Sequence, residues 1–216
     1  MIFIAEIGMN HNGNFGLLHE LIKQASLSGA DIAKFQLGWR CGKGEINQID
    51  SETINLIEKI SGYYEIKPMF SIITREAFEM AKKFSFKRYK IASRTLKEDF
   101  ELVQMIVDQK KETYISFGFW DKSELPFQDV NHVKRLWCKS NYPTAPWEVD
   151  NFPKTFSNEN FHGLSDHTIG IELPLLAIAR GARVIEKHFT LDKSDTTIRD
   201  HALSLNPQEF KQLVYL

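Results

Sequence analysis

The sequence predicts an α/β chain folded as one (β/α)₈ barrel, because eight short apolar runs alternate with helical stretches or long loops along 216 residues. Parallel strands that are buried on both faces have apolar residues in succession and no clean alternation with polar ones, and the eight runs show this pattern. No tract rich in proline, glycine or serine divides the chain. We therefore expect a compact single domain over residues 1–216.

The predicted strands are short runs, most of them rich in β-branched and aromatic residues. The eight runs are Ile2–Ile7, Ile32–Leu37, Pro68–Ile73, Tyr89–Ala92, Thr113–Phe117, Val133–Cys138, Gly163–Ser165 and Arg183–Phe189. A doubly wound sheet is the competing architecture, and it favours a glycine-rich phosphate loop after the first strand. Here that turn is rich in asparagine and histidine, so the barrel is preferred.

Helical spacing of apolar residues predicts the segments between the strands. The first helix carries Leu17, Leu21 and Ala25 on one face and ends at Gly29. The others are Ser51–Ile60 with Ser51 as N-cap, Arg75–Phe84, Leu96–Asp108, Ile169–Ala179 and a last helix that begins near Pro207.

Composition excludes several classes of protein. The chain has 27 Lys and Arg against 28 Asp and Glu, so no general nucleic-acid or membrane-surface binder is expected. No apolar run approaches the roughly 20 residues of a spanning helix. Two cysteines, Cys41 and Cys138, are too few for a disulfide framework or a thiolate zinc site. We expect a cytoplasmic protein.

Polar residues gather where the predicted strands end, which is the active-site end of such a barrel. They are Glu6, Asn10, His11, Lys34, Gln36, Lys90, Ser93, Ser116, Asn141, Tyr142, Ser165, Asp166, His167, Glu186, Lys187 and His188. An unpaired polar group in a barrel costs a few kcal/mol to bury, so this many at one end indicates a functional site.

Two histidines, His167 and His188, end adjacent strands. Their imidazoles can converge on one point, beside Asp166, Glu186 and Asp200. Two neutral imidazoles leave positions open for water and a substrate oxygen on Mn²⁺, Zn²⁺ or a similar ion. The alternative is a pair of hydrogen-bonded histidines in a polar crevice.

Lysines and serines form a second group, made of Lys34, Lys90, Ser93, Ser116 and Ser165. A point charge with hydroxyl donors suits a phosphate better than an apolar ligand. Two alternatives remain open. Each serine can belong to a local turn, and either lysine can be the Schiff-base lysine of an aldolase.

Seven motifs, in order along the chain, resemble those of the sialic acid synthase family. They are Ile4–Gly13, Ala33–Gln36, Tyr89–Ser93, Tyr142–Thr144, Gly163–Thr168, Glu186–Thr190 and Asp200–Ser204, the last followed by Asn206-Pro207. The resemblance implies a TIM barrel that condenses phosphoenolpyruvate with an N-acyl hexosamine such as N-acetylmannosamine, giving a nonulosonic acid and phosphate.

The resemblance also implies roles for individual residues. Those expected to be catalytic are Glu6, Lys34, His167 and His188, and the two histidines would hold a divalent cation, with Mn²⁺ as the expected ion. Those expected to bind substrate are Gln36, Lys90, Ser93, Ser116, Tyr142, Ser165, Glu186 and Asp200.

Departures from the family pattern leave two other functions open. Thr95 stands where the family usually has an acidic residue, and Ser140 where it has an asparagine. Typical members continue into an antifreeze-like domain, whereas we expect this chain, which ends at Leu216, to be the barrel alone. The alternatives are a related barrel acting on another sugar and a degenerate, non-catalytic sugar-binding barrel.

The mouth of the barrel then needs a substitute cover. We expect the Trp39-Arg40 loop and the Trp120 loop, or a second subunit of a homodimer packed across them, to shield the sugar. The alternative is that Trp39 and Trp120 only cover the barrel rim.

Overall fold

The structure is a computed structural model that describes residues 1–39 and 44–216, and eight parallel strands of these residues close into a barrel in sequence order. The strands are β1 (Ile2–Gly8), β2 (Ile32–Leu37), β3 (Lys67–Ile72), β4 (Arg88–Ile91), β5 (Glu112–Ser116), β6 (Val133–Cys138), β7 (Gly163–Asp166) and β8 (Val184–His188). Pairing of β1 with β8 completes the ring. The predicted (β/α)₈ TIM-barrel fold, in one compact domain, is confirmed.

Helices cover the outside of the barrel. They are α1 (Phe15–Leu27), α2 (Ser51–Tyr63), α3 (Arg75–Ala81), α4 (Ser93–Glu98), α5 (Phe100–Val107), α6 (Glu172–Ala179) and α7 (Pro207–Tyr215). The last begins at Pro207, as predicted, because Asn206 and Glu209 form a capping box. None of the helices in the described ranges is both long and apolar enough to cross a membrane.

Several predicted helix boundaries are wrong: α3 ends at Ala81 and not at Phe84, and α2 runs on from Ile60 to Tyr63. Three further differences have a clear local reason. The helix predicted over Leu96–Asp108 is two helices, because the backbone of Asp99 leaves the helical region and its side chain caps α5 by accepting from the backbone of Leu102. Asp50, not Ser51, caps α2. Gly170, with a φ of +86°, delays the start of α6 to Glu172.

The inner face of the barrel has two layers. The lower layer is an apolar cluster made of Ile4, Ile32, Met69, Tyr114, Leu136 and Val184. Two residues further along the same strands, on the same face, stand Glu6, Lys34, Ser71, Ser116, Cys138 and Glu186. The apolar layer therefore closes the barrel from below and places polar side chains at the open, C-terminal end.

Candidate active site

A cavity of about 610 Å³ opens at the C-terminal ends of the strands. Every residue predicted to be catalytic or to bind substrate lines it. These residues are Glu6, Lys34, Gln36, Lys90, Ser93, Ser116, Tyr142, Ser165, His167, Glu186, His188 and Asp200. The structure thus brings the predicted set together, while the role of each residue stays a prediction.

Four charged side chains of alternating sign cross the cavity floor, and all are buried. Lys34 Nζ lies 2.6 Å from Glu6 Oε2 and 3.8 Å from Glu186 Oε2. Lys90 Nζ lies 3.3 Å from Glu186 Oε1. A buried charge is tolerated when a partner of opposite sign is this close, so the floor is neutral as a whole while its lysines face the cavity.

The two lysines differ in their electrostatic surroundings. Burial opposes the charge on Lys34, but Glu186 and Glu6 outweigh it and raise its pKa. Burial lowers the pKa of Lys90, although Glu186 acts against it. A lysine held as ammonium is a poor nucleophile, so Lys34 does not suit the Schiff-base alternative.

Three serines surround the Lys90 end of the floor. Lys90 Nζ donates to Ser116 Oγ at 2.8 Å, and Ser165 Oγ donates to Glu186 Oε1 at 2.8 Å. Ser93 Oγ accepts from the backbone N–H of Gly118 at 2.9 Å. Ser93 therefore ties α4 to the loop after β5 and is not part of a local turn, while Ser116 bonds to Lys90 and Ser165 to Glu186.

The two predicted metal ligands stand side by side, with ring centroids 5.4 Å apart. His167 Nδ1 lies 2.8 Å from the carbonyl oxygen of Lys139. A carbonyl only accepts, so Nδ1 carries a proton, and Nε2 is the nitrogen that can bind a cation once the ring is neutral. Burial opposes the charge on His167, but Cys138 and the Lys139 carbonyl outweigh it and raise its pKa. The Tyr142 ring packs on His167 at 4.1 Å.

The donor set fits a divalent cation through these two imidazoles. His188 Nδ1 is buried without a hydrogen-bond partner in the described part of the chain. Burial lowers the pKa of His188 well below its ordinary value, with the charge of His167 acting in the same direction, so His188 is neutral and able to ligate. No group of three or more His, Cys, Asp or Glu suited to a metal occurs among the described residues, so substrate or water would have to complete the coordination of a cation there.

The glycine at the end of β1 gives Glu6 and Gln36 room to meet. Gln36 Nε2 donates to Glu6 Oε1 at 3.0 Å. Gly8 has a φ of +55°, and a Cβ there would lie 3.0 Å from Glu6 Oε1. A side chain at this position would therefore push the carboxylate of Glu6 out of place.

Some of the polar residues at the strand ends do not line the cavity. Asn10 donates to the carbonyl of Phe189 and to Ser204, and His11 accepts from the backbone of Gly13. Both tie loops together at the rim. Asn141 is exposed, and Asp166 and Lys187 pair with each other behind the strands.

Residues at the mouth that sequence reasoning left out include Arg94, Phe119 and Arg199. The Arg94 guanidinium lies 5.7 Å from the Trp39 ring centre, and that of Arg199 lies 4.7 Å from the Tyr142 ring centre. The two arginines had a weak signal in the sequence, because exposed arginines are common.

Only one of the two tryptophans expected to cover the sugar lines the cavity, and the shielding itself stays a prediction. Trp39 lines the cavity, but Trp120 packs against Phe117 and Phe100 and donates to the backbone of Glu124. Phe119, its neighbour, lines the cavity instead. Trp120 thus matches the rim-covering alternative. Arg40 and Cys41 lie outside the described residues.

Comparison with known proteins decides the family. Residues 45–215 match the model of the NeuB family. The chain belongs to the NeuB family. Over 98% of its length it is 30% identical to the N,N'-diacetyllegionaminic acid synthase of Legionella pneumophila, covering 69% of that protein. It is 31% identical over 99% of its length to the pseudaminic acid synthase of Campylobacter jejuni, covering 72% of that protein.

A solved structure agrees with this assignment. The N-acetylneuraminic acid (sialic acid) synthetase of Leptospira borgpetersenii, in complex with citrate, matches with a TM-score of 0.86 and 27% identity. The match covers 99% of this NeuB-family chain and 81% of that one. The resemblance read from the motifs is confirmed, and the chain is an N-acetylneuraminate synthase-like transferase.

Proposed function

We propose that the chain condenses phosphoenolpyruvate with an N-acyl hexosamine, N-acetylmannosamine or a close relative, to give a nonulosonic acid and phosphate. One observation carries this proposal: Lys90 and its neighbouring serines lie in the same cavity as the pair of histidines, His167 and His188. The first suits an anionic phosphate ester, and the second suits a cation that binds an aldehyde oxygen.

Phosphoenolpyruvate binds at the Lys90 end of the floor. Its phosphate accepts hydrogen bonds from the ammonium of Lys90 and from the hydroxyls of Ser116, Ser165 and Ser93. Glu186 remains the partner of both lysines. Charge-assisted hydrogen bonds in a buried site are the strong ones, so this end supplies most of the affinity for the anion.

The acceptor sugar binds between Tyr142, Gln36 and Asp200, with its aldehyde toward Glu6 and Lys34. C3 of phosphoenolpyruvate attacks the aldehyde carbon, and water adds at C2. The bond from C2 to the bridging oxygen then breaks, phosphate leaves with that oxygen, and C2 becomes the carbonyl of the 2-keto acid. Of the two protons of the water, one ends on the new hydroxyl group and the other leaves with phosphate. The ammonium of Lys34, held 2.6 Å from the carboxylate of Glu6, can donate to the aldehyde oxygen as the carbon–carbon bond forms, and Glu6 keeps that ammonium in place.

His167 and His188 would hold the divalent cation, with Mn²⁺ as the expected ion. When bound there, it supplies Lewis-acid polarisation of the aldehyde. The chain contributes the orientation of the rings, through the Lys139 carbonyl on His167 and the Tyr142 ring packed beside it.

One assay tests the reaction. The protein is incubated with Mn²⁺, phosphoenolpyruvate and N-acetylmannosamine, and phosphate and 2-keto acid are measured together. Equal amounts of both are expected. Activity only with a different N-acyl hexosamine would support the alternative of another sugar. No phosphate release with any of these sugars, from folded protein, would overturn the proposal and leave a binding barrel.

Metal uptake is a separate prediction. We expect one Mn²⁺ per chain, and we expect His167→Ala or His188→Ala to reduce that uptake at least tenfold without unfolding the barrel. His19→Ala, a surface histidine outside the cavity, is the matched control. Calorimetric titration with Mn²⁺ measures it, and a wild-type protein without stoichiometric uptake would rule the cation out.

A further inference from the structure

A buried ion pair lies behind the two histidines, on the side of β7 and β8 that faces away from the cavity. Lys187 Nζ lies 2.5 Å from Asp166 Oδ2 and also donates to the carbonyl of Thr168. Asp166 Oδ1 in turn accepts from the backbone and the hydroxyl of Thr168, each at 3.0 Å. These three residues are called the Lys187 clamp below.

The Lys187 clamp bonds to the chain on both sides of His167. The ladder between β7 and β8 ends where Asp166 pairs with Lys187, so His167 is the first residue beyond it. Asp166 precedes His167, Thr168 follows it, and both are bonded to the side chain that directly precedes His188. One ammonium group therefore links the backbone around one imidazole to the backbone at the other.

Burial of this ion pair costs free energy. Lys187 has no exposed surface and Asp166 is 2% exposed, so both charges lose their hydration. Apolar residues of similar volume often stabilise a protein as well as a buried ion pair does. Directional bonds at three points, in contrast, supply geometry that apolar packing does not.

We propose that Lys187 is a positioning residue that sets the spacing and orientation of the His167 and His188 rings, and through them the affinity for a divalent cation. The second half of this proposal rests on the cation site proposed above. Lys187 touches neither substrate nor metal, and it acts through the peptide segments on which the two histidines stand.

The test variant removes both charges of the clamp at once. Lys187→Met keeps the length of the side chain, and Asp166→Asn keeps the acceptor for Thr168, so neither partner is left as an unpaired buried charge. The control is the double variant Arg88→Met with Glu112→Gln, which neutralises the ion pair joining the starts of β4 and β5, far from the histidines.

Three measurements on metal-free and metal-loaded protein decide the proposal. In metal-free protein, the imidazole NMR signals of His167 and His188 are expected to shift in the clamp variant, while that of His19 does not. In the titration with Mn²⁺ alone, we expect the clamp variant to bind at least tenfold more weakly than wild type and than the control variant. The absorption spectrum of bound Co²⁺ is expected to change with it.

Three outcomes separate this proposal from the proposed function. Unchanged histidine signals in a folded clamp variant would overturn the positioning role. An equal fall in the affinities for Mn²⁺ and for phosphoenolpyruvate would also overturn it, because a general loosening of the barrel weakens both. Shifted histidine signals in a protein whose wild type binds no metal would support the positioning role and overturn the cation site.

Discussion

Lys90 is the single residue whose replacement best separates the two proposed substrates. It bonds to Ser116 and shares Glu186 with Lys34, at the end of the cavity floor away from the proposed sugar subsite. We expect Lys90→Ala to weaken phosphoenolpyruvate binding by about 10- to 100-fold, because charge-assisted hydrogen bonds are worth about 1.5–3 kcal/mol. The KM and Kd of the sugar should change much less.

The control for this prediction is Lys97→Ala, an exposed lysine on α4 that lies outside the cavity lining. It should leave both substrates unaffected. An equal loss of affinity for phosphoenolpyruvate and sugar in Lys90→Ala would mean that Lys90 has a structural role.

His11 makes the stability of the protein depend on pH. It is buried, and burial lowers its pKa from 6.5 to about 4. Above pH 6.5 it is neutral in the native and unfolded states and contributes nothing. Between pH 6.5 and about 4 the unfolded chain takes up a proton that the native protein does not. As the pH falls through this range, the free energy of unfolding therefore decreases by up to about 1.4 kcal/mol per pH unit.

The substitution His11→Asn should flatten this slope. Its side-chain oxygen can still accept from the backbone of Gly13, as the imidazole does now. Urea unfolding between pH 7 and 4.5 measures the slope, and His19→Asn at the surface serves as control. A slope equal to that of wild type would show that His11 takes up its proton in the native barrel.

At the scale of elements, Asp99 divides one apolar stretch into α4 and α5. Its carboxylate caps α5 and also pairs with Arg75 of α3. We expect Asp99→Ala to lower the free energy of unfolding by about 1–2 kcal/mol, mostly through the lost cap, because the ion pair is half exposed.

A matched variant separates the cap from the ion pair. Asp121→Ala removes an exposed carboxylate that pairs with Lys97 and caps no helix. It should cost less than about 0.5 kcal/mol. The shift in urea midpoint at constant slope measures both, and equal losses would contradict the capping role.

At the scale of the whole molecule, the eight strands form a closed ring, so the loss of one strand pairing weakens the whole barrel. Gly163 starts β7 so close to β8 that a Cβ there would lie 1.9 Å from the carbonyl oxygen of Val184. A backbone carbonyl cannot move away by changing rotamer, as a side chain can. We expect Gly163→Ala to destabilise the protein by about 3 kcal/mol or more, with fluorescence and circular dichroism reporting one shared transition.

Gly62 supplies the opposite case. It lies within α2, and an added Cβ would meet nothing within 4 Å. Gly62→Ala should therefore stabilise the protein by about 0.5–1 kcal/mol, because alanine loses less backbone entropy in a helix. Equal effects of the two alanines would contradict the close approach of β7 and β8.

The sequence by itself determined the barrel and the strand ends at which the site lies. Apolar runs at regular intervals specify the strands, and polar residues such as Glu6, Lys34 and His167 stand where those runs stop. The family motifs connect these positions to a chemistry, and the comparisons confirm the family. Each of these signals is local, so it survives without knowledge of the fold.

Only the tertiary structure decided which polar residues face the cavity and which lie behind it. Glu186, Lys187 and His188 are consecutive and equally polar, yet the middle one points outward to Asp166. In strands buried on both faces the sequence does not mark the inner side, because both sides are hidden from water. Closure of the barrel sets that side for all eight strands together, and so it decides which groups become the site and which one holds it in place.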